Sequence, residues 1–87
     1  MKSFRLTVSS PDGNTFDGEV VKLDVRGVEG ELAIMAGHIP FVTSVVAAPV
    51  VLHFEDGEER HAHSEGGILT VNADRTILLS GTFKFDE

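Results

Sequence analysis

The stretch Val21-Lys22-Leu23-Asp24-Val25-Arg26-Gly27-Val28-Glu29-Gly30-Glu31-Leu32-Ala33-Ile34 decides the fold of this chain. In its first half apolar side chains alternate with polar ones, and a period of two is typical of a β-strand with one buried face. Two glycines then bracket Val28-Glu29, and glycine tolerates the positive φ angles of a tight turn. Leu32 and Ile34 alternate again. The stretch therefore predicts two strands joined by a short turn.

The rest of the 87-residue chain repeats this pattern of short strands and turns. Eleven valines, four isoleucines and six threonines favour strands, and nine glycines separate them. We therefore predict an all-β fold, a two-sheet β-sandwich of about 8–10 short strands, as one domain over residues 1–87. The predicted core comprises Phe4, Leu6, Val8, Val21, Leu23, Val25, Leu32, Ile34, Leu52, Leu69, Val71, Ile77 and Leu79.

Residues 50–64 predict a hairpin around Asp56-Gly57, which is a strong turn signal. A three-residue loop over 56–58 pairs Leu52 with Ala62 and places the three histidines of the segment together on the outer face. A two-residue loop would instead mix histidines with core residues, so we favour the first register. Pro49 is predicted to mark the break between this hairpin and the preceding strand.

Composition excludes several classes of partner and chemistry. A net charge of −7 disfavours nucleic acid and anionic lipid, and a basic protein surface is the more natural counterpart. The absence of cysteine removes disulfides, thiolate catalysis and sulfur-ligated metals. No apolar run approaches the ~20 residues that span a bilayer.

The sequence carries no recognisable catalytic or cofactor-binding motif. The serines near glycine lie outside any nucleophile-elbow pattern, and the glycine pairs precede no phosphate-binding helix. His53, His61 and His63 are candidate metal ligands, but three solvated histidines on an outer face is the simpler interpretation. We therefore predict a binding or structural role without catalytic residues, cofactor or metal.

The run Gly27-Val28-Glu29-Gly30-Glu31-Leu32-Ala33-Ile34-Met35-Ala36-Gly37-His38-Ile39-Pro40 resembles a signature of the epsilon subunit of F-type ATP synthases. That family reads approximately Gly-x-x-Gly-x-Leu-Gly-Ile-x-Pro-Gly-His-x-Pro. Ala33 and Ala36 depart from it, where the family has Gly and Pro. Three further stretches agree in order and spacing, so the resemblance covers essentially the whole chain: residues 4–11, residues 16–25 and residues 66–71.

The resemblance implies a β-sandwich in the rotating central stalk that contacts the gamma subunit and the polar loops of the c-ring. By position in the motif, Glu29 and Glu31 are expected on the c-ring side, and Ser10, His38 and Thr43 on the gamma side. A carboxylate facing a guanidinium of the c-ring loops would make a charge-assisted contact. The implied location is peripheral, at the cytoplasmic face of a bacterial plasma membrane, or an organellar equivalent.

The resemblance also implies what to expect of regulation. The family continues into a C-terminal helical hairpin, to which inhibition of ATP hydrolysis is attributed, and this sequence has no counterpart of it. The resemblance leaves two interpretations open: the N-terminal β-sandwich domain alone, or a naturally short form of the subunit. We therefore expect coupling through gamma and the c-ring, without inhibition by an extended arm and without ATP binding. Two alternatives stay open: a β-sandwich module for a small ligand or glycan, and a small metal-dependent enzyme that uses the histidine face.

Overall fold

The computed structural model describes residues 2–37 and 39–86, which form ten β-strands and, within these ranges, no helix. The prediction of an all-β fold is therefore confirmed. The strands are β1 Phe4–Ser10, β2 Gly13–Val20, β3 Lys22–Gly27, β4 Gly30–Met35, β5 Phe41–Val45, β6 Ala48–His53, β7 Glu59–Ser64, β8 Gly67–Val71, β9 Thr76–Ser80 and β10 Phe83–Phe85.

The strands form the two layers of a sandwich. Sheet I has the order β4-β3-β6-β7-β10, and sheet II has the order β5-β8-β9-β1-β2. Neighbouring strands are antiparallel except β1 and β9, which are parallel, with Leu6 opposite Thr76 and Val8 opposite Leu78. The turn predicted at residues 28 and 29 joins β3 to β4, and Gly30 takes a φ of 130° there.

Different contacts close the two sides of the sandwich. On one side the sheets are joined through the backbone, where Gly27 of β3 pairs with Val45 of β5. On the other side the ring of Phe16 lies edge-on to Phe54 and Phe85, with ring centroids 6.0 and 6.3 Å apart. Nine of the ten described strands therefore form one continuous hydrogen-bonded path around a single core, and β4 joins this path only through its pairing with β3.

Most of the predicted core is buried, and β9 is the main correction. Phe4 and Leu32 are half-buried and pack against the core. Ile77 and Leu79 instead point outward, and Leu78 between them is fully buried. Parallel pairing with β1 sets this parity, because it aligns Leu78 with the inward-facing Val8. The core also includes residues missing from the prediction: Val20, Val45, Val50, Ala62, Leu78 and Phe83.

In the hairpin of β6 and β7 each side chain points to the predicted side of the sheet, but the strands pair in a different register. Val50, not Leu52, lies opposite Ala62, and the loop comprises residues 55–57. The backbone N–H of Phe54 donates to the carbonyl of Glu58 at 2.8 Å, and Gly57 takes a φ of 91°. This left-handed residue suits the last position of a three-residue loop. The register shift is two residues, so each side chain keeps its predicted face.

Pro49 lies inside β6, and the break between strands falls at residues 46 and 47 instead. A proline is tolerated where a ladder needs no donor from it. Pairing of β3 with β6 extends only to Asp24 and Val51, so β3 requires no hydrogen bond from Pro49. Within the described part of the chain, no helix is long and apolar enough to cross a bilayer.

Candidate functional site

The strand directions gather the turns at two opposite ends of the sandwich, and one end is acidic. Five connections share this end, at residues 11–12, 28–29, 46–47, 65–66 and 81–82. Their only charged residues are Asp12, Glu29 and Glu65, and all three are exposed. We call these five connections the acidic end. Connections at the other end carry charges of both signs.

Glu29 lies in the acidic end, as the predicted turn requires, and Glu31 lies beside it at the start of β4. Both side chains are exposed, and Glu31 accepts a hydrogen bond from Nη2 of Arg26 at 3.1 Å. Thr43 of β5 is half-buried and shares a surface depression with the two glutamates. The structure therefore brings together residues for which two different partners are predicted.

The two other predicted contact residues lie elsewhere. Ser10 ends β1 at the hairpin that carries Asp12, and its hydroxyl lies 3.4 Å from the backbone nitrogen of Asp12. It is half-buried at the same end of the sandwich as Glu29. His38 lies outside the described residues, in the connection between β4 and β5.

The outer side of sheet II is apolar at its centre. We define face II as the outward side chains of β5, β8 and β9, and none of them is charged: Val42, Ser44, Ile68, Thr70, Ile77 and Leu79. Val42 is 66% exposed, Ile68 41% and Leu79 52%. Ile68 lies directly opposite both Ser44 and Leu79 in the sheet, so the apolar residues are contiguous. The sequence did not predict this surface, because the prediction assigns Leu79 to the core.

The outer side of sheet I is charged instead. We define face I as the outward side chains of β3, β4, β6 and β7: Lys22, Asp24, Arg26, Glu31, Ala33, Met35, Pro49, Val51, His53, Glu59, His61 and His63. The three predicted histidines share this face, and each has a carboxylate partner that sequence spacing did not indicate.

His53 is the most enclosed of these histidines. Its Nε2 donates to Oδ2 of Asp24 at 2.6 Å, and its Nδ1 lies 3.4 Å from Oε2 of Glu59. Nε2 of His61 lies 3.3 Å from the other oxygen of Glu59. In residues 2–37 and 39–86, no group of three histidine or acidic side chains is arranged to hold a metal ion. Face I is therefore a network of side-chain pairs across neighbouring strands.

Comparisons with known proteins identify the class to which this fold and surface belong. Residues 3–85 match the family model of the ATP synthase delta/epsilon chain β-sandwich domain. The chain belongs to this family. It is 36% identical over 86 residues to the sodium-ion-specific ATP synthase epsilon chain of Acetobacterium woodii, covering 99% of this chain and 65% of that one. It is 40% identical over 80 residues to the epsilon chain of Alkalihalophilus pseudofirmus, covering 92% and 59%. The chain thus spans less than two thirds of these relatives.

Solved structures share the fold. A chain of the Euglena gracilis mitochondrial ATP synthase, in a structure of OSCP, F1 and the c-ring, superposes with a TM-score of 0.90 at 21% identity, covering 95% of this chain and 53% of that one. A chain of the Tetrahymena thermophila mitochondrial central stalk and c-ring gives a TM-score of 0.76 at 17% identity, covering 94% and 66%. The predicted two-sheet sandwich and the predicted family are therefore confirmed.

Proposed function

We propose that this chain is a non-catalytic rotor subunit of an F-type ATP synthase. It links the gamma subunit to the c-ring and supports the coupling of ion flow to ATP synthesis. It is peripheral to the membrane, on the cytoplasmic side, and is held there only through the complex. The observation that carries the proposal is face II, an uncharged apolar surface on an otherwise strongly acidic domain.

Face II is the surface that we assign to gamma. Contiguous exposed apolar residues on a soluble domain mark a binding surface, and the buried centre of an interface is depleted in charge. The residues that the sequence assigns to gamma adjoin this surface where they are described. Thr43 follows Val42 in β5, and Ser10 follows Ser9, which lies opposite Leu79. We retain Ser10, His38 and Thr43 as gamma-side contacts.

The acidic end is the surface that we assign to the c-ring. Its turns carry carboxylates and no cation, so it complements basic loops and repels acidic ones. Glu29 and Glu31 are the proposed contacts, because Glu29 lies in the connection between β3 and β4 and Glu31 is the second residue of β4, next to it. A rotor adaptor needs a surface for each partner, and face II and the acidic end are two such surfaces, which adjoin near Ser10 and Thr43.

Binding to purified gamma subunit tests the first assignment. Ile68→Glu places a charge at the centre of face II, and we expect at least a tenfold loss of affinity because the carboxylate would be desolvated without a partner. Ala33→Glu is the matched control, since Ala33 is also exposed but lies in β4 on face I. Loss of binding in both variants, or in neither, would contradict the assignment to face II.

Binding to detergent-solubilised c-ring tests the second assignment. Glu31→Lys reverses the charge next to the proposed basic loops, and we expect about a tenfold loss of affinity. The free energy of unfolding should change by less than about 0.5 kcal/mol, because the side chain is exposed. Glu58→Lys at the opposite end of the sandwich is the control. Equal effects of both substitutions would indicate non-specific electrostatics.

A further inference from the structure

Arg26 lies in β3 beside the acidic end, and the proposed function does not use it. It is the last outward residue of β3, directly opposite Glu31 in β4, and its Nη2 lies 3.1 Å from Oε2 of Glu31. The preceding outward residue of β3 is acidic, and the adjacent turn contributes only Glu29. Arg26 is therefore the basic residue that is paired directly with a proposed c-ring contact, Glu31, and it lies three residues before the other, Glu29.

We propose that Arg26 determines the specificity of this surface by occupying Glu31 before a partner binds. A guanidinium of the partner then exchanges with the guanidinium of Arg26 on the same carboxylate. This inference rests on the proposed function, because it assumes that Glu31 faces a basic protein loop. It adds a residue that sets how strongly, and for which partners, the acidic turn binds.

The geometry keeps the internal pair in place while leaving it exchangeable. Side chains directly opposite each other in an antiparallel pair lie about 4.5–5.5 Å apart at Cβ, so Arg26 cannot drift far from Glu31. The side chains are nevertheless 52% and 78% exposed. Exposed ion pairs contribute little to stability, so breaking this one has a small cost. The partner's arginine can therefore replace Arg26 without disturbing the sheet.

The two glutamates of the turn consequently differ. Glu29 makes no ion pair within the described part of the chain, so it presents its full charge to a partner. Glu31 is neutralised as a pair by Arg26 until exchange occurs. A partner segment with a single basic residue, or one that is weakly ordered, therefore interacts with an effective charge near −1, from Glu29 alone, instead of −2 from both glutamates. Only a loop that places a guanidinium at Glu31 recovers the second interaction, which is a form of selection against wrong partners.

The test compares Arg26→Gln with the unmodified chain in binding to detergent-solubilised c-ring. We expect Arg26→Gln to bind about three- to tenfold more tightly and to show a steeper dependence on salt, because both carboxylates are then free. It should also bind a non-cognate Arg-rich peptide more tightly than the unmodified chain does. Arg26→Lys, which keeps the charge, should return the affinity to that of the unmodified chain.

A double-mutant cycle separates this inference from the proposed function. With Arg26 replaced by Gln, Glu31→Gln should weaken binding by a larger factor than it does with Arg26 present. If Arg26→Gln binds equally or less tightly while Glu31→Gln still weakens binding, the inference is wrong and the c-ring assignment stands. If neither Glu29→Gln nor Glu31→Gln affects binding in either background, the c-ring assignment itself is wrong. Thermal unfolding of each variant checks that the domain remains folded.

Discussion

Face I and face II are both formed by strands whose side chains alternate between the core and solvent, but their outward side chains differ in charge. Among the described residues, every ion pair lies on face I or its edge except that of Arg5 with Asp17, which lies beside face II on β1 and β2. The centre of face II has no charge and exposes Val42, Ile68 and Leu79.

This difference in surface charge implies a different role for each face. Side chains on face I satisfy one another across strands, so the face is complete when the domain is alone. Face II leaves apolar area in contact with water, which is unfavourable by roughly 25 cal/mol for each Å² until a partner covers it. Selection for stability alone would not maintain such a surface. The comparison therefore supports the proposal that face II, and not face I, is the surface that binds the gamma subunit.

The largest expected effect is on the free energy of unfolding, and it distinguishes a core residue from a face II residue in the same strand, β9. Leu78 and Leu79 are adjacent in β9, but Leu78 is fully buried and Leu79 is 52% exposed. Leu78→Ala should lower the free energy of unfolding by about 2–5 kcal/mol, because it removes buried methyl groups and leaves a cavity. Leu79→Ala should lower it by less than about 1 kcal/mol while weakening gamma binding. Urea unfolding and gamma binding of both variants provide the measurement.

Equal destabilisation by the two substitutions would contradict the parity of β9, and with it the composition of face II. Loss of gamma binding by Leu78→Ala under conditions where that variant stays folded would contradict the separation between core and binding surface. Circular dichroism at the temperature of the binding assay establishes which fraction is folded.

The parity of β9 also shows where the sequence becomes ambiguous. Three consecutive apolar residues, 77 to 79, remove the alternation that reveals the buried side of other strands. Thr76 and Ser80 look like outward polar residues in the sequence, yet both are buried. Ser80 tolerates burial because its hydroxyl lies 2.8 Å from that of Ser64 in β7. This partner is 16 residues away and in the other sheet, so no local pattern could indicate it.

The turns were easier to predict than the surfaces. The glycine-bracketed turn after β3 and the glycines before β8 follow from local backbone chemistry, which a sequence displays directly. The positions of Glu29 and Glu31 at an exposed end followed from that turn. The pairing of Glu31 with Arg26, and of His53 with Asp24, depends on which strands become neighbours. Face II depends on both the parity and the order of three strands, so it could only be read from the structure.

A smaller effect is expected from the network on face I. The hydrogen bond from His53 to Asp24 is short and part-buried, with side chains 22% and 36% exposed. Asp24→Asn should lower the free energy of unfolding by about 0.5–1 kcal/mol, because solvent screens part of the interaction. Gamma binding should be unchanged, since the substitution lies on the opposite side of the molecule. His61→Gln is the matched control on a more exposed pair, with an expected change below about 0.5 kcal/mol.

Chemical denaturation with gamma binding on the same samples measures both quantities. A loss of gamma binding by Asp24→Asn with an unchanged unfolding curve would mean that face I also contacts gamma. Greater destabilisation by His61→Gln than by Asp24→Asn would contradict the view that His53 anchors the network.

The smallest effect concerns the ion pair beside face II. Nε of Arg5 donates to Oδ1 of Asp17 at 2.7 Å, and this hydrogen bond lowers the pKa of Asp17, aided by the charge of Arg5 and the hydroxyl of Thr7. A pKa that is lower in the folded state gives stability above the unfolded value, which is lost as the pH falls through the folded value. Arg5→Gln should therefore raise the pKa of Asp17. Protonation of Asp17 at low pH should then lower the free energy of unfolding by less than it does in the unmodified chain. Carboxyl titration by NMR, with Asp74 as an exposed control, measures the shift. An unchanged Asp17 titration would show that the pair does not persist in solution, and the edge of face II would then carry two separate charges in place of an ion pair.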